Sequence, residues 1–342
     1  RKIALFCDVD EEAVIPLETN DLLYEVPIVL EDAGLGDYLV EQLELQVPKP
    51  SLAEWRNMAK RMRAASEPIH IGVVGKYVEL HDAYMSVREA LFHAASSRER
   101  KLEITWIYSG DLEKGKGWDL LETLDGIVGP GGFGERGIEG KILTAKFARE
   151  NSVPYLGLCL GMQVMSIEFA RNVVGLEDAN SSEFALSCAN PVIDLMLEQQ
   201  GVTDLGGTMR LGEYPCRLET STVAARAYGS VRKIQERHRH RFEFNNEYRG
   251  VFEQKGMVFS GLSPDGKLVE IAEIKDHPFM LGSQFHPEFL SRPNRPHPLF
   301  LALIDAAMVF HGRRAGGHVN GHSQQPSPAA AETGNDPNTR SQ

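Results

Sequence analysis

Tyr155-Leu-Gly157-Leu-Cys159-Leu-Gly161-Met-Gln163 is the stretch that decides how this chain folds. The apolar run over 153–158 fits a buried strand, and the residues after Cys159 open a helix. Glycines on both sides of the cysteine permit a sharp strand-to-helix turn, which pushes the middle side chain out at the top of a sheet. The helix N-terminus beside it favours a thiolate. The plainer reading, a buried structural thiol in a glycine-rich turn, is commoner for an arbitrary cysteine, and the motif alone leaves both open.

Working outward, strands are expected over 69–74, 102–108 and 125–128. Helices are expected over 82–96, capped by Asp82, and over 138–149. This alternation predicts βαβ units and an α/β fold, a mostly parallel sheet flanked by helices, with ligands beyond the C-terminal strand ends. Further on come a hairpin over 257–274 through Ser263-Pro-Asp-Gly266, a strand over 279–285 and a closing helix over 299–310. Residues 188–235 have a weak pattern and read as an insertion or lid. The composition after Arg314 predicts a disordered tail.

Towards the N-terminus, the apolar run over 2–7 reads as a buried strand, followed by a short strand over 13–17 and a helical stretch over 22–43. Pro48 and Pro50 break the chain. Ser51-Leu-Ala-Glu54 then supplies a capping box for a helix to about residue 65, closed by Pro68. The expected divisions are 1–43, a connector over 44–68, a domain over 69–312 and a tail over 313–342. A first segment of that size cannot bury a core of its own, and the chain reads as a piece of something longer.

Composition narrows the function classes. The 342 residues are 42% hydrophobic and 25% charged, as in an ordinary globular protein. Lys and Arg number 36 against 48 Asp and Glu, a formal charge of −12, which disfavours nucleic acid as a partner. No apolar run reaches the roughly 20 residues of a membrane span. The cysteines at 7, 159, 188 and 216 are too scattered for a disulfide framework or a zinc site, which points to a reducing, cytoplasmic setting. Cys7, Cys188 and Cys216 have no adjacent base and read as structural thiols, and no metal site is expected.

Two further motifs end strands at the same predicted sheet edge. In Gln284-Phe-His286-Pro-Glu288, a histidine and a glutamate two apart on an extended segment point the same way, so the carboxylate can orient the imidazole. The plainer reading is a surface histidine beside an incidental glutamate. In Gly129-Pro-Gly131-Gly132-Phe-Gly134 no Lys-Ser/Thr follows, so it is not a P-loop. The backbone N–H of Gly131 or Gly132, with that of Leu160, suits an oxyanion hole. A cysteine, a histidine and a glutamate at one sheet edge predict a nucleophilic triad.

Pro130-Gly-Gly-Phe-Gly134, Gly157-Leu-Cys-Leu-Gly-Met-Gln163 and Phe285-His-Pro-Glu288, in this order, resemble the triad-type class I glutamine amidotransferases, whose fold is flavodoxin-like. Asn180-Ser-Ser-Glu183-Phe, Gly206-Gly-Thr-Met-Arg210-Leu-Gly212 and Glu236-Arg-His-Arg-His-Arg241-Phe-Glu-Phe-Asn245 narrow the resemblance to the CTP synthase family. It covers about residues 1–311 and implies that residues 1–43 are the end of a P-loop-type α/β synthetase domain. It further implies Cys159 as nucleophile, His286 as base and then acid, and Glu288 as its orienter. Gly132, Leu160, Gly161, Met162 and Gln163 would hold the amide end of glutamine. Glu183 and Arg241 would hold its amino and carboxylate groups, and an Arg can grip a carboxylate with two bonds. Arg237 to Arg241 also fits a solvated basic strand.

By the same resemblance Lys2, Glu18, Thr19 and Asn20 fall at nucleotide contacts, and Arg136 and Arg210 are candidates for a GTP effector. The implied small-molecule partners are L-glutamine, UTP, ATP, CTP as feedback inhibitor and GTP as activator, in a homotetramer. No cofactor is expected in this chain, because ATP and magnesium would act in the synthetase core. The competing readings are a glutaminase subunit of another amidotransferase, a free γ-glutamyl hydrolase, and a silent regulatory or filament-forming domain.

Overall fold

A computed structural model of the chain describes residues 1–195 and 209–319. Its strands are β1 (Glu67–Gly75), β2 (Arg100–Tyr108), β3 (Gly126–Gly129), β4 (Tyr155–Leu158), β5 (Asn180–Ser181), β6 (Pro191–Leu195), β7 (Arg210–Leu218), β8 (Lys233–His240), β9 (Phe242–Phe244), β10 (Met257–Leu262), β11 (Val269–Ile274) and β12 (Met280–Ser283). Nine form one sheet in the order β2-β1-β3-β4-β12-β11-β10-β7-β8, and β5-β6-β9 form a small second sheet. The run from β2 to β12 is parallel, and the strands beyond it are antiparallel.

Both faces of the inner strands β3, β4 and β12 are covered, which is why these are apolar runs, whereas the edge strand β2 is only partly buried. Ile127 and Tyr155 face helices Ile138–Glu150 and Leu160–Phe169, through Ile142, Ala145, Met162 and Met165. The alternate residues Val128, Leu156 and Leu158 face helices Met85–Ser97 and Pro298–Val319, through Leu91, Ala94, Leu303 and Ile304. The strands expected near 69, 102, 125, 153 and 279 are all present, as are the helix after Gly137 and the hairpin through Ser263.

Several expectations fail for local reasons. Residues Lys2–Cys7 form a helix, not a strand, and Ile3, Leu5 and Phe6 are exposed while only Ala4 is buried. A strand needs a neighbour to take its ladder bonds, and none of the described residues pairs with this segment, so its backbone bonds close locally, as from Leu5 N–H to Arg1 O at 2.9 Å. The second expected strand, over 13–17, does not form: a 3₁₀ turn at Glu11–Ala13 is followed by residues without regular structure. Helix Ala53–Ala64 starts after Leu52 with no side-chain cap, so Ser51-Leu-Ala-Glu54 is not a capping box. Asp82 lies in a 3₁₀ turn ahead of helix Met85–Ser97 and does not cap it.

The expected lid over 188–235 contains β7 and the start of β8, both part of the main sheet. The inward residues of β8 are Ile234, Glu236, His238 and His240, and its outward ones are Lys233, Gln235, Arg237 and Arg239. Alternation is complete in burial but hidden in polarity, because three of the four inward side chains are titratable. Residues 196–208 of that stretch, and 320–342 of the expected tail, lie outside the described residues. The closing helix runs on to Val319.

Residues ahead of β1 dock through Tyr24. Its hydroxyl donates to Glu89 at 2.7 Å and lies 2.6 Å from His93 Nε2, and Trp55 Nε1 donates to its carbonyl at 2.6 Å. His93 Nδ1 in turn meets Ser291 Oγ at 3.0 Å, three residues beyond Glu288.

Candidate active site

The parallel register brings three strand ends side by side: Gly129 pairs with Gly157, and Leu158 with Ser283. The segments leaving these ends are the three motifs singled out in the sequence, so residues far apart in the chain meet at one edge. They border a cavity of about 280 Å³ whose lining includes Gly131, Gly132, Cys159, His286 and Glu288, together with Tyr77, Tyr84, Phe133 and Arg239.

Cys159 occupies the turn with φ of 50° and ψ of −103°, a positive-φ conformation rare outside glycine. It is held there by a bond from its N–H to Ser283 O at 2.7 Å, and Tyr155 Oη braces the turn by donating to Gly161 O at 3.0 Å. Glycine is required on both sides. A Cβ at Gly161 would run into the carbonyl of Gly129, and one at Gly157 would lie 2.5 Å from the backbone of Gly161. The thiol is only 3% exposed, with Gln284 Nε2 3.5 Å from Sγ. Gln163, behind it, donates its amide to Phe242 O at 3.0 Å and to Gln284 Oε1 at 3.3 Å.

His286 Nδ1 lies 2.7 Å from Glu288 Oε1. Burial opposes a charge on the imidazole, but the Glu288 carboxylate and the Cys159 sulfur outweigh it and lift its pKa well above the ordinary value. Glu288 hydrogen-bonds the ring, and the Cys159 sulfur acts on it from across the cleft. A thiol, an imidazole and a carboxylate are therefore coupled in series, the arrangement that nucleophilic acyl transfer needs.

The glycine-rich loop sits over this pair. A Cβ at Gly131 would lie 2.9 Å from His286 Cε1 and 3.7 Å from Cys159 Cβ, and one at Gly132 would lie 3.4 Å from Leu160 Cδ2. Among the described residues, none accepts the N–H of Gly131, Gly132 or Leu160. Two lysines grip the loop's carbonyls: Lys76 Nζ bonds Phe133 O and Gly134 O, and Lys141 Nζ bonds Pro130 O at 2.8 Å.

Of the other candidates, Leu160, Gly161, Met162 and Gln163 are buried in the first turn of the helix behind Cys159. Glu183 accepts the Gly134 N–H at 2.8 Å. Burial raises its carboxyl pKa, while that N–H, Lys76 and Arg241 draw it back, so Glu183 and Arg241 are electrostatic neighbours at the loop's far end. Arg136 is exposed with its guanidinium 5.4 Å from the Tyr77 ring centre, near the cavity. Arg210 is turned to Glu270 at 2.7 Å and stacks 4.4 Å from the Tyr214 ring centre. Lys2, Glu18 and Thr19 are exposed on the N-terminal segment, and Asn20 is bonded to Leu22 N–H, Glu25 and Arg63. Cys216 is buried, Cys188 half-buried and Cys7 exposed. Among the described residues no group of three or more His, Cys, Asp or Glu could hold a metal ion.

Sequence reasoning missed Lys76, Lys141, Gln284 and Arg239 as site residues. Lys76 directly follows β1 and Gln284 directly follows β12, at the sheet edge where ligands bind, and that position was the available signal.

The chain matches the family model described as glutamine amidotransferase class-I over residues 79–306. It is 57% identical over 306 residues to a CTP synthase of Dehalococcoides mccartyi, covering 90% of this chain and 56% of that protein. It is 59% identical over 307 residues to a CTP synthase of Roseiflexus castenholzii, covering 90% of this chain and 55% of the relative. The chain thus spans just over half the length of these relatives. Among solved structures it is similar to the Trypanosoma brucei CTPS glutaminase domain with bound acivicin, at 36% identity and a TM-score of 0.66, covering 70% of this chain and 94% of that one. No helix among the described residues is long and apolar enough to cross a membrane.

Proposed function

The chain belongs to the class-I glutamine amidotransferases, and on that footing we propose that it is the glutaminase half of a cytoplasmic CTP synthase. The observation that carries the chemistry is the series Cys159, His286 and Glu288 beneath Gly131. Cys159 Sγ attacks the side-chain carbonyl of L-glutamine, and the negative charge that develops on oxygen is met by the N–H groups of Gly131 and Leu160. His286, charged by its neighbours, gives its proton to the leaving nitrogen, and ammonia departs as the C–N bond breaks. Water, deprotonated by the now neutral His286, then cleaves the thioester and releases glutamate. Glu288 keeps the imidazole in the required tautomer. Glu183 and Arg241 hold the substrate's amino and carboxylate groups.

In a longer enzyme the ammonia would aminate UTP at the expense of ATP, with magnesium and the phosphates held by a synthetase portion of which 1–43 is the end. CTP as inhibitor, GTP as activator near Arg136 and Arg210, nucleotide contacts at Lys2 and Glu18 to Asn20, and a homotetramer belong to the same proposal. An intact triad speaks against a silent regulatory domain, and the docked N-terminal segment against a free γ-glutamyl hydrolase.

Purified chain given L-glutamine should release glutamate and ammonia in equal amounts. A glutamine-analogue electrophile should add its mass to Cys159 and to none of the other three cysteines. Absence of both glutamate release and a Cys159 adduct would overturn the proposal.

A further inference from the structure

Lys141 is only 2% exposed, on the inner face of helix Ile138–Glu150. Its ammonium has one hydrogen-bond acceptor among the described residues, the carbonyl of Pro130 at 2.8 Å. Among the described residues it has no carboxylate partner within ion-pair distance. Sealing an ammonium away from water costs several kcal/mol, and a single neutral carbonyl does not offset that. An apolar side chain would serve the packing of this helix face better, so stability does not explain the lysine.

What the lysine does hold is the peptide between Pro130 and Gly131. In a trans peptide the carbonyl and the following N–H point in opposite directions. A cation that fixes Pro130 O on one side of the loop therefore fixes the Gly131 N–H on the other. Gly131 is also the loop glycine set against the reacting pair, since a Cβ there would lie 2.9 Å from His286 Cε1 and 3.7 Å from Cys159 Cβ. The charge has a second consequence. Lys141 feels Lys76 and Cys159, and the sulfur is the one of the two that favours its protonated form. When Cys159 attacks, negative charge leaves the sulfur for the oxyanion, and the amide between the ammonium and the oxyanion is polarised from both ends.

We propose that Lys141 is a positioning residue for glutamine hydrolysis: its ammonium locks the Pro130–Gly131 peptide with the Gly131 N–H turned to the cleft, and its charge strengthens that donor as the oxyanion forms. The proposal rests on reading Cys159, His286 and Glu288 as a glutaminase site. Lys76 grips Phe133 and Gly134 at the far end of the loop but faces Glu183, so its charge has a carboxylate to answer it.

The test compares Lys141→Met and Lys141→Gln with the unaltered chain at about pH 6, where the folded Lys141 amine carries its proton, in three assays: glutamine hydrolysis, alkylation of Cys159 by iodoacetamide, and thermal unfolding. The Met variant should lose roughly 10²-fold in kcat, the scale of a lost oxyanion donor, with KM little changed. Iodoacetamide forms no oxyanion, so its rate at Cys159 should stay near that of the unaltered chain. Gln keeps a donor for Pro130 O without the charge, and should recover part but not all of kcat. A folded Met variant with unaltered kcat would overturn the proposal, as would parallel losses of hydrolysis and alkylation, which mark a collapsed site. If the Met variant does not fold, full kcat in the Gln variant overturns it and a deficit of about tenfold or more supports it. Glutamate release by the unaltered chain that Cys159→Ala abolishes isolates the glutaminase reading. Without such release, that reading falls and takes this one with it.

Discussion

Glu288 reaches His286 by a turn, not by strand alternation: β12 ends at Ser283, Pro287–Phe289 is a 3₁₀ turn, and the carboxylate curls back to stand 2.7 Å from Nδ1. Pro287 fixes the backbone between the two residues, so the pair is stiff before substrate arrives. Glu288→Gln should therefore leave the fold intact and lower kcat for glutamine by roughly 10³–10⁴-fold, the scale on which an amide in this place spoils the tautomer. Initial rates of glutamate release measure it, and a loss under tenfold would separate Glu288 from the chemistry.

Cys159→Ala should abolish glutamine hydrolysis at an unfolding temperature close to that of the unaltered chain, since the side chain removed is small and the turn bonds are backbone ones. In a full-length enzyme carrying this domain, the same change should spare CTP formation from added ammonia. Loss of both by a folded variant would contradict the division of labour proposed above.

Two glycines should respond in opposite ways. Gly161→Ala drives a Cβ into the Gly129 carbonyl, rigid backbone at the centre of the sheet, and should cost about 1–3 kcal/mol or more in denaturant unfolding. Gly131→Ala meets the His286 ring, which can move, so stability should hold while kcat falls. Equal stability losses in the two variants would show that the loop over His286 is as rigid as the sheet.

Arg241→Ala removes a charged hydrogen-bonding partner worth roughly 1.5–3 kcal/mol, which corresponds to a rise of about 10- to 150-fold in KM for glutamine. Glu183, which Arg241 influences, should show a comparable effect as Glu183→Gln. An unchanged KM in both would put the pair outside the substrate's reach.

Burial pushes the Lys141 ammonium down to about 7, aided by Lys76 and opposed by Cys159. Between that value and the ordinary one of 10.5, the unfolded chain binds a proton that the folded chain does not, so stability rises with pH across this window. The unaltered chain should thus gain on Lys141→Met by on the order of 3–5 kcal/mol from pH 7 to 10. Unfolding midpoints at several pH values follow it, and a flat difference would place Lys141 in water.

The three motifs around Cys159, Gly131 and His286 were legible because each obeys a local rule: glycines where a turn needs them, and a strand before each. The parallel character of the sheet around them followed from alternation, but the order of its strands did not. Lys141 was not legible, because it reaches Pro130 from the following helix and no spacing marks such a contact. β8 was hidden for another reason, as its inward Glu236, His238 and His240 look like surface residues in sequence. His238 and His240 are held neutral by burial, at about 2 and about 3, with the nearby Arg210 acting in the same direction. At 2–7 the apolar pattern was real, but a pattern makes a strand only beside another strand.

The strained turn at Cys159 also sets when the thiol comes alive. Its anchor is the carbonyl of Ser283, and its neighbour Gln284 is 125 residues away in sequence. Contacts of that separation close late in folding, after β4 and β12 have found their parallel register. A growing or misfolded chain therefore carries Cys159 as an ordinary thiol, without imidazole, carboxylate or amide donors around it. Selective labelling of this cysteine by a glutamine-like electrophile is then a report on the completed sheet, and a fluorescent form of such a reagent would count finished molecules in a mixture with nascent ones.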